Sequence, residues 1–187
     1  IVGGFIAAVS IILFLWEKRD YIIYFWPVLL VGELFTYLGK LATHRIRPAN
    51  PVYFEDSFSF PSGHSVVAMV FYGFLGYFLI RKLAGWKQKA VVFFGCFIII
   101  VAIGFSRLYL GVHYLSDVFG GYLLGFLVLL ATIMAYEWRR SKKISTSSNA
   151  FIATRFVKIA TIIVCIAAVL GYIGFTWRFW PYILPAS

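Results

Sequence analysis

Long apolar runs separated by short polar stretches dominate the pattern along this chain. Six runs stand out: Ile1 to Trp16, Tyr21 to about Leu41, about Ser65 to Ile80, Ala90 to Phe105, Val118 to Tyr136, and about Phe156 to Trp177. None alternates with the two-residue period of a half-buried strand, so each is read as a helix. A bilayer core takes about 20 helical residues, with a range of about 17–25. The third and fourth runs are short for this, and their flanks are expected to lengthen them. Trp16, Tyr21, Tyr24, Trp26, Trp86, Tyr109, Tyr114, Trp138, Trp177 and Trp180 lie near run ends, where amphipathic rings settle at membrane–water interfaces. The stretch Ser141 to Ala150 (SKKISTSSNA) is polar and Ser-rich, which predicts a flexible linker before the last helix. The expected fold is all-α, a polytopic membrane bundle of about six transmembrane helices.

Composition sharpens this picture. Of 187 residues, 62% are hydrophobic and 13% charged, and mean hydropathy is +0.90. A soluble domain of this size cannot bury so much apolar side chain, so a cytosolic globule, a disulfide scaffold and a disordered tail are excluded. A barrel does not fit runs that are continuous rather than alternating. Cys96 and Cys165 both fall inside apolar runs and read as small buried hydrophobes rather than a disulfide or metal site. The chain begins at Ile1 rather than Met, so a preceding stretch is expected.

The net charge of +10 divides once topology is considered. Six crossings place Lys18, Arg19, Arg81, Lys82, Lys87, Lys89, Arg139, Arg140, Lys142, Lys143, Arg155 and Lys158 on one side, which is 12 of the 17 basic residues. The positive-inside rule makes that side cytoplasmic. A nucleic-acid partner is therefore not expected, because most of the charge is a topology signal. Lys40, Arg45, Arg47, Arg107 and Arg178 remain on the other side, with all three histidines, His44, His64 and His113. Cations gathered beside histidines on the face that should avoid them point to an outward-facing anion site.

Three stretches converge there. Lys40-Leu-Ala-Thr-His-Arg-Ile-Arg47-Pro48 closes the second run. On a helix, Lys40, His44 and Arg47 form one stripe, continued inward by Glu33 and Tyr37, with Arg45 off it. Taken alone, this is also what a basic snorkelling helix end looks like. Phe60-Pro61-Ser62-Gly63-His64 opens the third run. Ser62 is a candidate N-cap, Gly63 bares the backbone, and a helix N-terminus attracts anions. Ser106-Arg107 and His113-x3-Asp117 join the fourth and fifth runs. His113 and Asp117 are four apart and touch on a helix, a carboxylate holding an imidazole as in hydrolytic triads. A turn near Gly111 would bring Arg107 to the same place. Only Glu55, Asp56 and Asp117 among the seven acids face outward, a poor basis for a two-metal carboxylate cage; no metal or cofactor is expected.

In order, the motifs Lys-x6-Arg-Pro, Pro-Ser-Gly-His and Ser-Arg-x5-His-x3-Asp resemble those of the type 2 phosphatidic acid phosphatase superfamily, integral membrane lipid phosphatases. Every key position matches, over Lys40 to Asp117, and the helices over 21–138 fit the family layout. The family normally has one more helix before the first run, and here a sixth follows the usual end. Both departures fit an excised piece of a longer protein, such as a DedA-type fusion. The division implied is a lipid phosphatase-type domain at 1–140, a linker at 141–154 and an additional helix at 155–187.

Residue by residue, the resemblance implies that His113 is the nucleophile forming a phosphohistidine and that Asp117 orients it. His64 would protonate the leaving alcohol and then activate water. Lys40, Arg47, Arg107, Ser62 and Gly63 would hold phosphoryl oxygens, with Ser106 a lesser contributor. The implied substrates are undecaprenyl pyrophosphate, phosphatidylglycerol phosphate or phosphatidic acid, the outward face favouring the first two, in a bacterial inner membrane. The loop 49–60, rich in aromatics, is expected at the interface near the entering lipid. Competing readings are a lipid phosphotransferase on the same scaffold, a vanadate-dependent haloperoxidase (set aside on hydropathy), and a non-enzymatic transporter of anionic lipid headgroups. The last leaves the His113–Asp117 spacing and His64 unexplained.

Overall fold

A computed structural model describes residues 19–144, with side chains over 26–141. The first and sixth apolar runs, most of the Ser-rich linker and Cys165 lie outside these residues. The described part is four helices and no strand: α1 (Arg19–Thr43), α2 (Gly63–Lys82), α3 (Trp86–Tyr109) and α4 (Leu115–Ile144). They correspond to the second through fifth apolar runs. Each run is extended by its flanks, because a helix once nucleated continues through neighbouring helix-compatible residues. α4 continues through Ser141 to Ile144, the first residues of the stretch read as linker.

Gly63–Lys82, Trp86–Tyr109 and Leu115–Ser141 are long and apolar enough to cross a membrane. The outer face of α3 carries Val91, Phe93, Phe94, Phe97, Ile98 and Phe105, all strongly exposed. Such a face has no place in water and fits a helix whose solvent is lipid. The molecule is an integral membrane protein.

α2 is the central helix, packed by α1, α3 and α4. α1 and α3 run opposite to it, whereas α4 runs parallel. Ser62 at the start of α2 bonds the Asp117 carbonyl at the start of α4, and Arg81 at its end pairs with Glu137. The core is Val28 and Leu29 from α1, Val66, Val70, Phe71 and Phe74 from α2, and Leu124, Val128 and Leu129 from α4. Two parallel helices can approach this closely because α4 presents Gly121 to the first turn of α2. A Cβ there would lie 2.6 Å from the Ser62 carbonyl oxygen and 2.8 Å from Ser65 Cβ. Small residues at such crossings let backbones meet where lipid offers no hydrophobic drive to association.

This parallel pair decides where function gathers. The N-termini of α2 and α4 and the C-termini of α1 and α3 all meet at one end. Gly121→Ala forces backbone apart there and should lower stability by about 1–3 kcal/mol. Gly95→Ala on α3 meets nothing within 4 Å and should be neutral or gain up to about 1 kcal/mol of helix propensity. Thermal unfolding of both variants in detergent checks the contrast.

Candidate functional site

The centre of the convergent end is the Asp117 carboxylate, with 0% of its side chain exposed. Oδ2 accepts from Ser59 Oγ at 2.5 Å and from the Tyr114 N–H at 2.8 Å. Oδ1 accepts from Arg45 Nη1 at 2.5 Å. His113 Nδ1 lies 3.5 Å from Oδ2. A buried carboxylate is stable only when paired and hydrogen-bonded, and four groups from three chain segments do this here. Ser59 Oγ also lies 3.4 Å from His113 Nδ1. With its proton given to Asp117, this hydroxyl has a lone pair free for the imidazole N–H. Asp117 and Ser59 together select the tautomer with hydrogen on Nδ1, leaving Nε2 with its lone pair outward.

The expected contact of His113 with Asp117 is formed, but not within one helix. α4 begins at Leu115, so His113 lies in the preceding turn. That turn is made by Gly111 at φ 64°, in the left-handed region where glycine costs least.

The helical stripe of Lys40, His44 and Arg47 does not form. α1 ends at Thr43, and His44 takes φ 47°, which breaks the helix. His44 is exposed and packs edge-on to Phe58 at 4.5 Å between centroids. Tyr37 is exposed too. The reversal turns Arg45 inward instead, to Asp117, to Ser116 Oγ at 2.6 Å and under the Tyr114 ring at 4.2 Å. Spacing put Arg45 off the stripe; the break in the helix makes it a buried partner of Asp117. Ser59 carried no motif signal either. The only clue was a hydroxyl just before Pro-Ser-Gly-His.

Lys40 and Arg47 nevertheless meet, through the loop at 57–58. Lys40 Nζ donates to Ser57 Oγ at 2.9 Å and to the Phe58 carbonyl at 2.6 Å. Arg47 Nε donates to the Ser57 carbonyl at 2.8 Å and Nη1 to the Val112 carbonyl at 2.8 Å. Nη1 also stands 3.3 Å from His113 Nε2, so a cation lies beside the outward imidazole nitrogen. Arg47 Nη2 pairs with Glu55 Oε2 at 2.5 Å. Burial is the largest single influence on Glu55 and opposes its charge, but the Arg47 guanidinium, the Tyr53 hydroxyl and the two nearby histidines together outweigh it and hold the carboxyl below the usual carboxylate range. A lowered value means that this pair contributes stability above the ordinary carboxylate range and loses it as pH falls through that value.

Ser62 occupies the N-cap position of α2 but its side chain makes no capping bond. Its carbonyl accepts from the Ser65 and Val66 N–H groups, both at 3.1 Å, and its buried hydroxyl has no partner. Gly63 and His64 follow and face the cavity. Arg107 is tied by Nε to Ser106 Oγ at 3.2 Å and by Nη1 to Tyr53 Oη at 2.8 Å. It is linked to Glu55 through Tyr53, whose hydroxyl donates to Glu55 Oε1 at 3.1 Å.

A cavity of about 640 Å³ opens over these groups. Lys40, Glu55, Ser57, Gly63, His64 and His113 line its mouth. It continues between α1 and α3 along α2, past Thr36, Glu33, Val67, Ala68, Phe71, Tyr72 and Ile103. Two histidines and a lysine thus face one space whose remaining lining is mostly apolar. Among the described residues, no group of three or more His, Cys, Asp or Glu is placed to hold a metal ion.

Comparisons with known proteins bear on the family and the fold. Residues 20–142 match the family model described as PAP2 superfamily. Phosphatidylglycerophosphatase B of Bacillus subtilis (strain 168) is 46% identical over 86 residues, which are 45% of this chain and 42% of that protein. The chain therefore aligns with less than half the length of that relative. The crystal structure of the first transmembrane PAP2 type phosphatidylglycerolphosphate phosphatase from Bacillus subtilis superposes with TM-score 0.66 at 34% identity, over 73% of this chain and 69% of that one.

Because Arg45 neutralises a fully buried carboxylate, Arg45→Met should cost about 3 kcal/mol and disorder the His113 turn. A loss of that order in chemical unfolding, with greater proteolysis at 110–117, is the expected result.

Proposed function

This chain belongs to the PAP2 superfamily, and we propose that it is a membrane-embedded lipid phosphatase acting through a phosphohistidine intermediate. The observation that carries the reading is His113, which lines the cavity: its Nδ1 faces the Asp117–Ser59 pair while its Nε2 faces the Arg47 guanidinium. An imidazole fixed in this tautomer is a nucleophile with one lone pair aimed outward. Phosphoryl transfer asks mainly for positioning and for charge stabilisation on the equatorial oxygens.

Arg47 brings a phosphoryl oxygen next to Nε2. Lys40, the Gly63 backbone and the buried Ser62 hydroxyl would serve further oxygens at the start of α2, where the helix dipole favours an anion. Arg107, steadied by Ser106, would serve alongside them. Attack by Nε2 forms the N–P bond as the P–O bond to the lipid breaks. His64, across the same cavity, gives its proton to the departing alkoxide. It then takes one from the water that cleaves the phosphohistidine and releases inorganic phosphate. These fixed cations supply the charge stabilisation, so the reaction is proposed to need no metal.

The substrate reading follows the cavity. A cavity that leaves the polar mouth between α1 and α3 and turns apolar along Phe71 and Ile103 fits a lipid whose phosphate is held at the mouth. The relatives' names concern phosphatidylglycerol phosphate, and this chain is proposed to act on that lipid phosphate or on undecaprenyl pyrophosphate, with phosphatidic acid as the third choice. Among the described residues, Arg19, Arg81, Lys82, Lys87, Lys89, Arg139 and Arg140 lie at the helix ends away from the site, which supports a site on the periplasmic or outer face of a bacterial inner membrane. Transfer to a second lipid in place of water remains the alternative chemistry on this scaffold, and product analysis separates the two.

His113→Ala should abolish phosphate release from a panel of lipid phosphates in micelles, at least about 10³-fold, while the unfolding temperature stays within a few degrees. Normal turnover in that variant would remove the nucleophile assignment. Activity should persist in EDTA, and loss reversed by magnesium would contradict the metal-free mechanism.

A further inference from the structure

The loop between α1 and α2 carries two side chains that the proposed chemistry does not use. Glu55 Oε2 sits 2.5 Å from Arg47 Nη2. Its Oε1 accepts from Tyr53 Oη at 3.1 Å, and Tyr53 Oη in turn accepts from Arg107 Nη1 at 2.8 Å. One short stretch of loop thus engages both arginines assigned to phosphoryl oxygens, and Glu55 faces the cavity beside His113 and His64.

Several features distinguish this from an ordinary rim ion pair. The Arg47 side chain is only 9% exposed, and its Nε and Nη1 are fixed by the carbonyls of Ser57 and Val112. Nη2 bonds Ser57 Oγ as well, and its charged partner is Glu55. A phosphoryl group at Nε2 of His113 would need this same cation. Carboxylate and phosphate oxygens compete for one guanidinium, since both match its fork and repel each other. The Glu55 charge is present at neutral pH, because Arg47, the Tyr53 hydroxyl and the neighbouring histidines together overcome the effect of burial on it.

The loop is also built to let Glu55 move. Its backbone is pinned at Val52, whose N–H bonds the Leu110 carbonyl at 3.0 Å, and at Ser59, whose N–H bonds the Arg45 carbonyl at 2.8 Å. Lys40 and Arg47 hold Ser57 and Phe58 between these points. The Glu55 side chain is 24% exposed, so it can rotate outward without breaking those bonds.

We propose that Glu55 is a resident anion of the phosphate site: it occupies Arg47 while the site is empty, yields to the incoming phosphoryl group, and displaces inorganic phosphate after turnover. Tyr53 is its positioning residue, holding the carboxylate between Arg47 and Arg107. The role rests on the phosphatase reading above and adds to it a device for releasing product, which otherwise would bind well among Lys40, Arg47 and Arg107.

The test uses the full chain in detergent. Inorganic phosphate is titrated into wild type and Glu55→Gln by calorimetry, and its inhibition constant is measured during hydrolysis of a short-chain lipid phosphate. Glu55→Gln should bind phosphate about 3- to 10-fold more tightly, and Tyr53→Phe should shift it in the same direction by less. General damage to the site weakens phosphate, so tighter binding is the signature a structural role would not produce. Unchanged or weaker phosphate binding in folded Glu55→Gln overturns the proposal. If that variant does not fold, Tyr53→Phe decides by the same sign. A wild-type protein that binds phosphate but releases none from any lipid phosphate would instead sink the phosphatase reading, while the titration still judges Glu55.

Discussion

One buried charge organises the functional end of this molecule. The Asp117 carboxylate has no access to solvent, and its desolvation would be prohibitive unless partners surrounded it. Those partners come from different stretches: Arg45 from the chain leaving α1, Ser59 from the loop entering α2, and Tyr114 and His113 from the turn entering α4. Meeting the needs of one carboxylate therefore ties both ends of the α1–α2 connection to the α3–α4 connection. The imidazole orientation, and through it the outward Nε2, is a by-product of the same bonds. Arg47 is drawn to the site by carbonyls of both connections, at Ser57 and Val112.

That local knot depends in turn on helix packing. α2 and α4 are parallel and touch closely at their first turns, where Gly121 leaves room for the Ser62 carbonyl. Their N-termini lie side by side, with the Ser62 N–H bonded to the Asp117 carbonyl at 3.0 Å. Two helix N-termini and three cations at one end give an electropositive recess beside a mostly apolar lining, the combination a lipid phosphate calls for. The loop 49–58 crosses this recess with a carboxylate of its own, so the site holds an anion before any substrate arrives.

Much of this was legible in the residues. Apolar runs and aromatic punctuation marked the four described helices, because lipid imposes length and apolarity directly on sequence. The motif positions Lys40, Arg47, His64, His113 and Asp117 do gather at one end of the bundle, and Gly111 does form a turn, though Arg107 bonds Tyr53 and does not line the cavity with His113. Reading Lys40, His44 and Arg47 as one helical stripe failed because periodicity presumes that the helix continues. His44 leaves helical conformation at φ 47°, and Arg45 rather than His44 turns inward. Ser59 and Arg45 were invisible as partners of Asp117, since a single sequence marks which residues can bond and not which do.

The sequence by itself determined the solvent, the element type and the chemical inventory: lipid-length helices, two histidines, an acid and cations at spacings that resemble one phosphatase family. These follow from local covalent facts, namely side-chain polarity and its periodicity. Only the tertiary structure decided which cation serves which anion. It placed Arg45 on Asp117, Arg47 on His113 and Glu55, and Arg107 on Tyr53, pairings between residues up to 72 positions apart. The physical reason is that a buried charge is stabilised by whatever donors packing brings within about 3 Å, and distance along the chain places no limit on that.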